Sequence, residues 1–410
     1  SDLEQKTVVS FDNCVNGGNV IGGEYVGGFV GVIAGNNRIA LNISCSVNNG
    51  DVSRGEWHAG GFVGFINNNS NISVVVFNSF NNGSIIVEQV YAGGLVGLIS
   101  KNIDLSMTIS NSTNNGNVNH GGGYDGGFVG VISNNTNVVM TISNSINNGI
   151  ISAVTSFVGG FVGLMDDNIN MTVSASNFTN NAMVSGGGIL VGGFVGLVNP
   201  SDDLSFYIVN SANKGDVSAK NGIACGLICV FSEPNINANY TIENSINKGD
   251  VNAENRAYGI ATIVTSARNV VSMGNVTGKS ESYTFWNEFT DVDLFYGMKD
   301  KCINCSADAT LFEYDESAEC FVVVSTRDHV HTLLNDEALE QDYGMMWTTE
   351  LDLVNPSMPF SSSSSSSLPS SFPMPTSFQS GQLSGGIRQT ASWFSILVAF
   401  VLTAHLVFSQ

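Results

Sequence analysis

A five-residue motif, GGFVG, returns along this chain at a constant spacing. Its copies, the third of which reads GGLVG, start at Gly27, Gly60, Gly93, Gly126, Gly159 and Gly192, which gives a period of 33. Degenerate copies follow at Cys225 and Tyr258, on the next two multiples of the period. A fixed period of this size predicts a repeat array whose units bury their apolar faces only by stacking on one another.

Within each period, apolar and polar residues alternate. Leu105, Met107 and Ile109 are separated by Ser106 and Thr108, and the same columns recur one period away. This alternation of two predicts a half-buried strand and excludes the paired amphipathic helices of an ankyrin unit, which has the same length. An Asn-Asn-Gly turn, a second apolar column and the GGFVG strand complete the period. We therefore predict an all-β chain, a parallel β-solenoid of about eight turns held by ladders of identical side chains.

Composition divides the chain into four segments. Residues 1–279 are the solenoid, with 18 acidic and 10 basic residues, whereas residues 280–355 have 17 acidic and 3 basic ones and are rich in aromatic residues. The second segment is predicted to be a small α+β cap on the open solenoid end. The N-terminal end shows no comparable cap, which fits a fragment of a longer array. The net charge of −21 argues against a nucleic-acid partner.

The C-terminal segments predict a membrane anchor. Residues 356–383 form a Ser/Pro-rich stalk, and residues 384–410 contain small residues, a polar spacer and an apolar tail over residues 393–408. This layout is typical of a glycolipid (GPI) anchor signal, with Ser384 as the attachment residue and Ser380 or Gly381 as alternatives. The other interpretation is an ordinary membrane helix, which needs about 20 apolar residues. Either one places the chain at the cell surface.

The cysteine count of seven is odd, so at least one thiol is unpaired or bridges to another chain. In the acidic segment we predict a structural disulfide among Cys302, Cys305 and Cys320 rather than a zinc site. Cys14 and Cys45 lie in neighbouring turns that allow a bridge. Cys225 and Cys229, on one straight strand, would be about 13 Å apart and too far to pair.

Candidate N-glycosylation sequons support an exterior location. An Asn/Ser-rich chain also makes such triplets by chance, so they gain weight mainly from the predicted anchor. The sequons begin at Asn42, Asn68, Asn71, Asn82, Asn111, Asn134, Asn170, Asn177, Asn239, Asn275 and Asn304.

The GGFVG strand is apolar on both faces, and such a strand needs cover on both. Either a sharp bend turns both rows inward, which we favour, or the third motif position forms an exposed stripe. A stripe of that length would bind a partner or drive self-assembly. Its members would be Phe29, Phe62, Leu95, Phe128, Phe161 and Phe194.

Parallel β-solenoids include polysaccharide lyases and hydrolases, which makes catalysis a candidate function. That chemistry needs acids, and for lyases a base, on one face of adjacent turns. The acidic candidates Asp166-Asp167 and Asp202-Asp203 have no Lys, Arg or His in matching columns. We interpret them as solvated turn residues, with a calcium site as a lesser alternative. We predict no enzyme, no resident metal and no cofactor.

The unit GGFVG…NSxNNGxV resembles the GLUG-type repeats of large surface and secreted proteins, some of them adhesin-like. The resemblance covers roughly residues 10–279 and implies a β-solenoid on the cell exterior without catalytic residues. Together with the predicted anchor signal, it indicates a repetitive surface protein of a eukaryotic microbe. The expected function is a lipid-anchored surface protein whose rod adheres or shields. Its partners would be a host or neighbouring cell-surface protein or glycan, or further copies of itself. The alternatives are a membrane-held carbohydrate-active solenoid enzyme and a self-assembling coat subunit.

Overall fold

A computed structural model describes residues 6–53, 57–87, 91–154, 157–199, 202–230 and 238–283, with short strands between residues 288 and 354. The chain divides into units of residues 1–358 and 359–410, and all described residues belong to the first. These residues form strands, turns and bends without a helix, so the predicted all-β parallel solenoid is confirmed. In this part of the chain there is accordingly no helix that could cross a membrane.

Sheet A carries a long strand and a short strand in each turn. Its long strands are Thr7–Asp12, Ile39–Ser44, Ser70–Phe77, Ile103–Ser110, Thr136–Ser143, Ile169–Ser176, Asp202–Val209, Asn239–Asn247 and Ile263–Ser272. Its short strands are Val15–Asn16, Val47–Asn48, Phe80–Asn81, Thr113–Asn114, Ile146–Asn147, Thr179–Asn180 and Ala212–Asn213, and further members are Glu288–Val292, Phe295–Gly297 and Phe321–Val323.

Sheet B carries two short strands in each turn. The first are Val20–Ile21, Val52–Ser53, Ile85–Val87, Val118–His120, Ile151–Ala153, Val184–Gly186, Val217–Ala219 and Val251–Ala253. The second are Tyr25–Gly27, His58–Gly60, Tyr91–Gly93, Tyr124–Gly126, Phe157–Gly159, Leu190–Gly192, Ile223–Cys225 and Arg256–Tyr258, followed by Val276–Tyr283 and Cys302–Cys305.

Sheet C contains seven strands, one per complete turn. They are Val30–Ala34, Val63–Asn67, Val96–Ser100, Val129–Ser133, Val162–Asp166, Val195–Val198 and Ile228–Val230. After the last of them, the described residues continue sheet C with a single β-bridge, between Ile228 and Ala261. The structure thus has seven complete turns rather than eight, because the degenerate copy at Tyr258 forms no sheet C strand.

Successive turns stack in parallel with a register that keeps identical columns together. Met107 pairs with Val74 on one side and with Met140 on the other, each one full period away. Because the side-chain period of a strand is two, this register keeps every inward residue inward in all turns. Beyond the seventh turn the period shortens, since Val251 pairs with Val276.

The apolar residues form two stacked cores. The main core lies between sheets A and C and contains the inward columns of the long strands, such as Met107 and Ile109, together with Phe128. A second core lies between the two strands that each turn contributes to sheet B, with Val118 and Val158 among its members. Each turn therefore consists of a main loop and a smaller wing.

A ladder of buried asparagines joins the turns beside the main core. Asn114 donates one amide hydrogen to the Asn147 side-chain oxygen at 2.9 Å and the other to the Gly116 carbonyl at 2.9 Å. Its own oxygen accepts from Asn81 at 2.8 Å. Each internal member is fully buried. The predicted Asn-on-Asn stacking is confirmed for Asn16, Asn48, Asn81, Asn114, Asn147, Asn180, Asn213 and Asn247.

Parallel pairing continues past residue 279, where the sequence predicted a domain boundary. Val276 pairs with Cys302, Val270 with Phe295, and Phe295 with Phe321. Residues just after 279 therefore extend the sheets. An antiparallel pair, Met346–Trp347 and Leu353–Val354, is also present. Most of residues 280–355 lies outside the described residues, so the α+β cap stays a prediction.

We predict that Asn114→Ala destabilises the solenoid by about 3 kcal/mol or more. The change strands an amide hydrogen of Asn81, the side-chain oxygen of Asn147 and the carbonyl of Gly116 in a dry interior. The measurement is the free energy of unfolding in urea.

The matched control is Asn115→Ala in the same turn. The Asn115 side chain donates to the Asn82 side-chain oxygen at 2.8 Å in an exposed ladder. Water can replace the hydrogen bonds of this ladder. We expect a loss below about 1 kcal/mol for it. Equal losses for the two variants would contradict the role given to the buried ladder.

Candidate functional surfaces

The third position of the GGFVG motif points into the main core. Phe62, Leu95 and Phe128 are fully buried, Phe161 and Phe194 nearly so, and Phe29 packs against the core in the first turn. The exposed stripe of Phe29, Phe62, Leu95, Phe128, Phe161 and Phe194 is therefore wrong as a binding surface. The favoured alternative, a bend that turns both apolar rows inward, is what the structure has.

The apolar residue that directly follows the motif packs into a separate cluster outside the main core. Leu98, Val131 and Leu164, on successive sheet C strands, pack against the ring column that begins sheet B's second strands. This ring column is Tyr25, His58, Tyr91, Tyr124 and Phe157. Neighbouring rings in the column stack closely, with the centroids of Tyr91 and Tyr124 at 5.3 Å. We call this region the notch.

Two glycines of the motif allow close packing at the bend and beside the notch. A β-carbon on Gly97 would lie 2.8 Å from the Ala59 carbonyl oxygen, because sheet C packs backbone against backbone on sheet B here. A β-carbon on Gly94 would lie 2.5 Å from the Asn114 side chain of the buried ladder. Side chains longer than glycine are thus excluded at these two motif positions for different reasons, and backbone atoms leave no room for a β-carbon on Gly93, the remaining motif glycine, either.

A polar row borders the notch where the sheet C strands end. Ser100, Ser133 and Asp166 are in register, and the Asn199 amide donates to the Asp166 carboxylate at 2.9 Å. Burial raises the pKa of Asp166 above its usual value, partly offset by the Asn199 hydrogen bond. Burial likewise raises the pKa of Tyr91 to about 12, with smaller contributions from Tyr124 and Asp166.

The notch presents groups that can form hydrogen bonds with hydroxyl groups. Neutral tyrosine hydroxyls and one carboxylate donate to and accept from hydroxyl groups. Glycoside hydrolysis ordinarily uses two carboxyl groups. Asp167, beside Asp166, is exposed at a corner with φ 49°, and Asp202 and Asp203 are exposed at the start of a sheet A strand. A cleft of about 380 Å³ at the first turn has no titratable lining residue.

His58 is the one imidazole in the ring column. It is 6% exposed, between the rings of Tyr25 and Tyr91 at 5.4 and 4.9 Å, and its Nδ1 atom has no hydrogen-bond partner. Burial lowers the pKa of His58 to about 4, although a hydrogen bond to the Trp57 backbone opposes the shift. The imidazole is neutral at physiological pH.

The cysteines behave differently from two of the predictions. Cys225 and Cys229 form a disulfide with a Cα–Cα distance of 5.6 Å, so the statement that they are too far apart is wrong. The larger predicted separation applies to one straight strand, whereas Cys225 ends a sheet B strand and Cys229 lies in a sheet C strand after the bend. Cys14 and Cys45 are both free thiols, so they form no bridge.

The remaining candidates in the acidic segment are less defined. Cys302 and Cys305 lie in one strand, while Cys320 lies outside the described residues, so a bridge among them stays a prediction. Among described residues, no three His, Cys, Asp or Glu side chains are grouped to hold a metal ion. The predicted attachment residues Ser384, Ser380 and Gly381 lie outside the described part of the chain, as does the predicted stalk.

The solvent face of sheet A is formed largely by short polar side chains. Its central columns include Thr108, Thr141 and Ser174, stacked in register. Asparagines with positive φ stand at both ends of the long strands, including Asn111 at 50° and Asn134 at 56°. The sequons at Asn42, Asn68, Asn71, Asn82, Asn111, Asn134, Asn170, Asn177 and Asn239 all lie in sheet A or at its corners; Asn275 precedes a sheet B strand and Asn304 lies within one.

Sequence reasoning missed the ring column and its polar row. The signal was present, since an aromatic residue stands two positions before the motif in each of the first five turns. Comparison with family models, curated proteins and solved structures finds no match for this chain.

We predict that the stability of the folded chain depends on pH through His58. The folded state holds the imidazole's pKa at about 4, below its unfolded value of 6.5. Folding therefore disfavours proton binding to His58. The stability gained by burying the neutral imidazole is fully present above pH 6.5 and is lost as the pH falls towards 4. The loss amounts to about 3 kcal/mol.

Urea unfolding of the wild type and His58→Tyr at pH 7.5 and pH 4.5 tests this. Tyrosine is native to the same column at Tyr25 and Tyr91 and does not titrate in this range. Carboxylates contribute equally to both proteins, so the difference between them isolates His58. An identical pH dependence for the two proteins would refute the assignment.

Proposed function

We propose that this chain is an extracellular repeat protein that displays a rigid β-solenoid at the cell surface for adhesion or shielding. The observation that carries the proposal is the continuous rod of seven turns whose buried ladder is fully hydrogen-bonded. Such a rod needs no ligand to be ordered and presents long uniform faces, as repeat proteins that bind large partners do.

The chemistry of the described residues supports an exterior location. The Cys225–Cys229 disulfide is fully buried, and structural disulfides persist in oxidising compartments. The solvent face of sheet A is mostly Ser, Thr and Asn with few charges, which suits an exposed surface that does not bind polyanions. The resemblance to the GLUG-type repeats of surface and secreted proteins agrees with this proposal, and with the predicted anchor signal we infer a eukaryotic microbe as the source.

A glycolipid anchor would hold the chain at the membrane. The proposed partners are a host or neighbouring cell-surface protein or glycan, and copies of the same chain in a coat. Since the third position of the GGFVG motif is buried in the main core, self-association would use another surface. Attachment at Ser384, with Ser380 or Gly381 as alternatives, belongs to this proposal.

The test of location uses intact cells that make the full chain. We expect a membrane-impermeant biotin reagent to label the chain, and phosphatidylinositol-specific phospholipase C to release it into the supernatant. Labelling without release would indicate a membrane helix in place of the anchor. A chain that is protected from the reagent in intact cells and labelled only after lysis would refute surface display.

One observation favours a second candidate, a carbohydrate-active solenoid enzyme. Asp166 is a carboxyl with a raised pKa beside the tyrosine column, as a general acid would need to be. This candidate predicts that Asp166→Asn abolishes depolymerisation of a polysaccharide, while Asp167→Asn, its exposed neighbour, retains it. On the adhesive or shielding proposal, we expect the wild type to release no reducing ends from a polysaccharide panel.

A further inference from the structure

The sequons of the first seven turns are confined to one side of the rod. All eight lie between the end of a sheet C strand and the Asn-Asn-Gly turn, with Asn82 inside that turn, and this path contains only sheet A and its two corners. The strands of sheets B and C contain none in these turns. Sugars added at these positions would therefore project from a single side.

At the corner that follows the long strands, sequons occur in alternate turns. Asn111 and Asn177 stand two turns apart in one column, and Asn144 between them lacks the required Ser or Thr. The alternation arises at the third residue of the sequon. Thr113 fills this position for Asn111, and its paired residues in the two adjacent turns are the apolar Phe80 and Ile146. Both apolar neighbours are 37% exposed.

The corner that precedes the long strands repeats this arrangement independently. Asn68 and Asn134 are again two turns apart, with Lys101 between them in the column. Two residues later, Ser70 and Thr136 alternate with Ile103 and Ile169. These isoleucines are 51% and 49% exposed, among the most exposed large apolar residues of the internal turns.

The two-turn interval has a steric meaning. Adjacent turns are about 4.8 Å apart, too close for two branched sugars on neighbouring asparagines of one column, whereas two turns provide about 10 Å. None of the eight sequons has another sequon beside it in its own column. Each corner glycan would also lie against an exposed apolar side chain of the next turn. Without the glycan, that side chain would favour association with other protein molecules.

The hydrogen bonding of the corners tolerates the modification. Asn177 donates one amide hydrogen to the Asn144 side-chain oxygen at 2.9 Å. An N-linked sugar replaces one of the two hydrogens on that nitrogen and leaves the other to donate. The ladder at this corner can therefore persist beneath a glycan.

We propose that this chain carries N-linked glycans in alternate turns along both edges of sheet A, each covering an exposed apolar residue of an adjacent turn. The inference rests on the proposed extracellular function, because the sugar is added along the secretory route. It assigns the shielding role to the sheet A side and leaves the strands of sheets B and C in the first seven turns, with the notch, without glycans.

The test is glycosite mapping on the full chain purified from the cells that display it. Peptide N-glycosidase in heavy-oxygen water marks each occupied asparagine by conversion to labelled aspartate. We expect occupancy at Asn111, Asn134 and Asn177, and at no more than one of the crowded pair Asn68 and Asn71.

A matched pair of variants tests the shielding. Thr113→Val removes the sequon at Asn111, while Thr113→Ser keeps it with the same backbone. We expect the valine variant to lose one glycan in mass and to bind at least twofold more of a hydrophobic dye. The serine variant should match the wild type in both measurements.

The outcomes separate this inference from the proposed function. A chain that is biotin-labelled on intact cells but carries no glycan at Asn111, Asn134 or Asn177 overturns the inference alone. Glycans on a chain that stays inside the cell overturn the surface role alone. Loss of the Asn111 glycan without any change in dye binding would refute the covering of Phe80 and Ile146.

Discussion

The buried asparagine ladder is the interaction on which the rest of the rod depends. Each internal amide donates both hydrogens and accepts one, so a dry polar column is satisfied only if every turn contributes an asparagine at the same height. This requirement fixes the register of the turns. It also limits the motif, because the ladder occupies the space that a β-carbon on Gly94 would need. The two sequence motifs, Asn-Asn-Gly and GGFVG, thus pack against each other, because the ladder asparagine lies against the second glycine of GGFVG.

The bend inside the motif has a different physical origin. Sheet C must approach the backbone of sheet B closely enough that Gly97 can carry no side chain, and this contact places Leu98 against the ring column. A strand apolar on both faces is then covered on both, once by the main core and once by the notch. The seventh turn shows what replaces the glycines: Cys225 and Cys229 bridge across the bend, accompanied by a register shift between Val195 and Val198.

The columns of the long strands and the stacking of asparagines could be predicted because they follow from a period of 33 and an alternation of two. The Cys225–Cys229 bridge and the notch could not, because both depend on where the chain leaves the extended conformation. Treating the motif as one straight strand gave the wrong separation for the two cysteines and left the exposed stripe open. The eighth turn was expected because Tyr258 preserves the period, but this copy has Thr262 at the third glycine position of the motif, and a sheet A strand already begins at Ile263.

The outward positions carry information that the inward columns do not. Packing demands that Met107 and Met140 be similar, so their repetition reports only the core. Nothing in the core demands that Thr113 be followed by Ile146 and then by Thr179 in the neighbouring turns. Exposed apolar residues in the turns on either side of a sequon, Phe80 and Ile146 beside Thr113, make physical sense if something covers them. On the glycan proposal, the sugars lie along sheet A, whereas the notch, with Tyr91 and Tyr124 in its ring column, carries no sequon in the first seven turns.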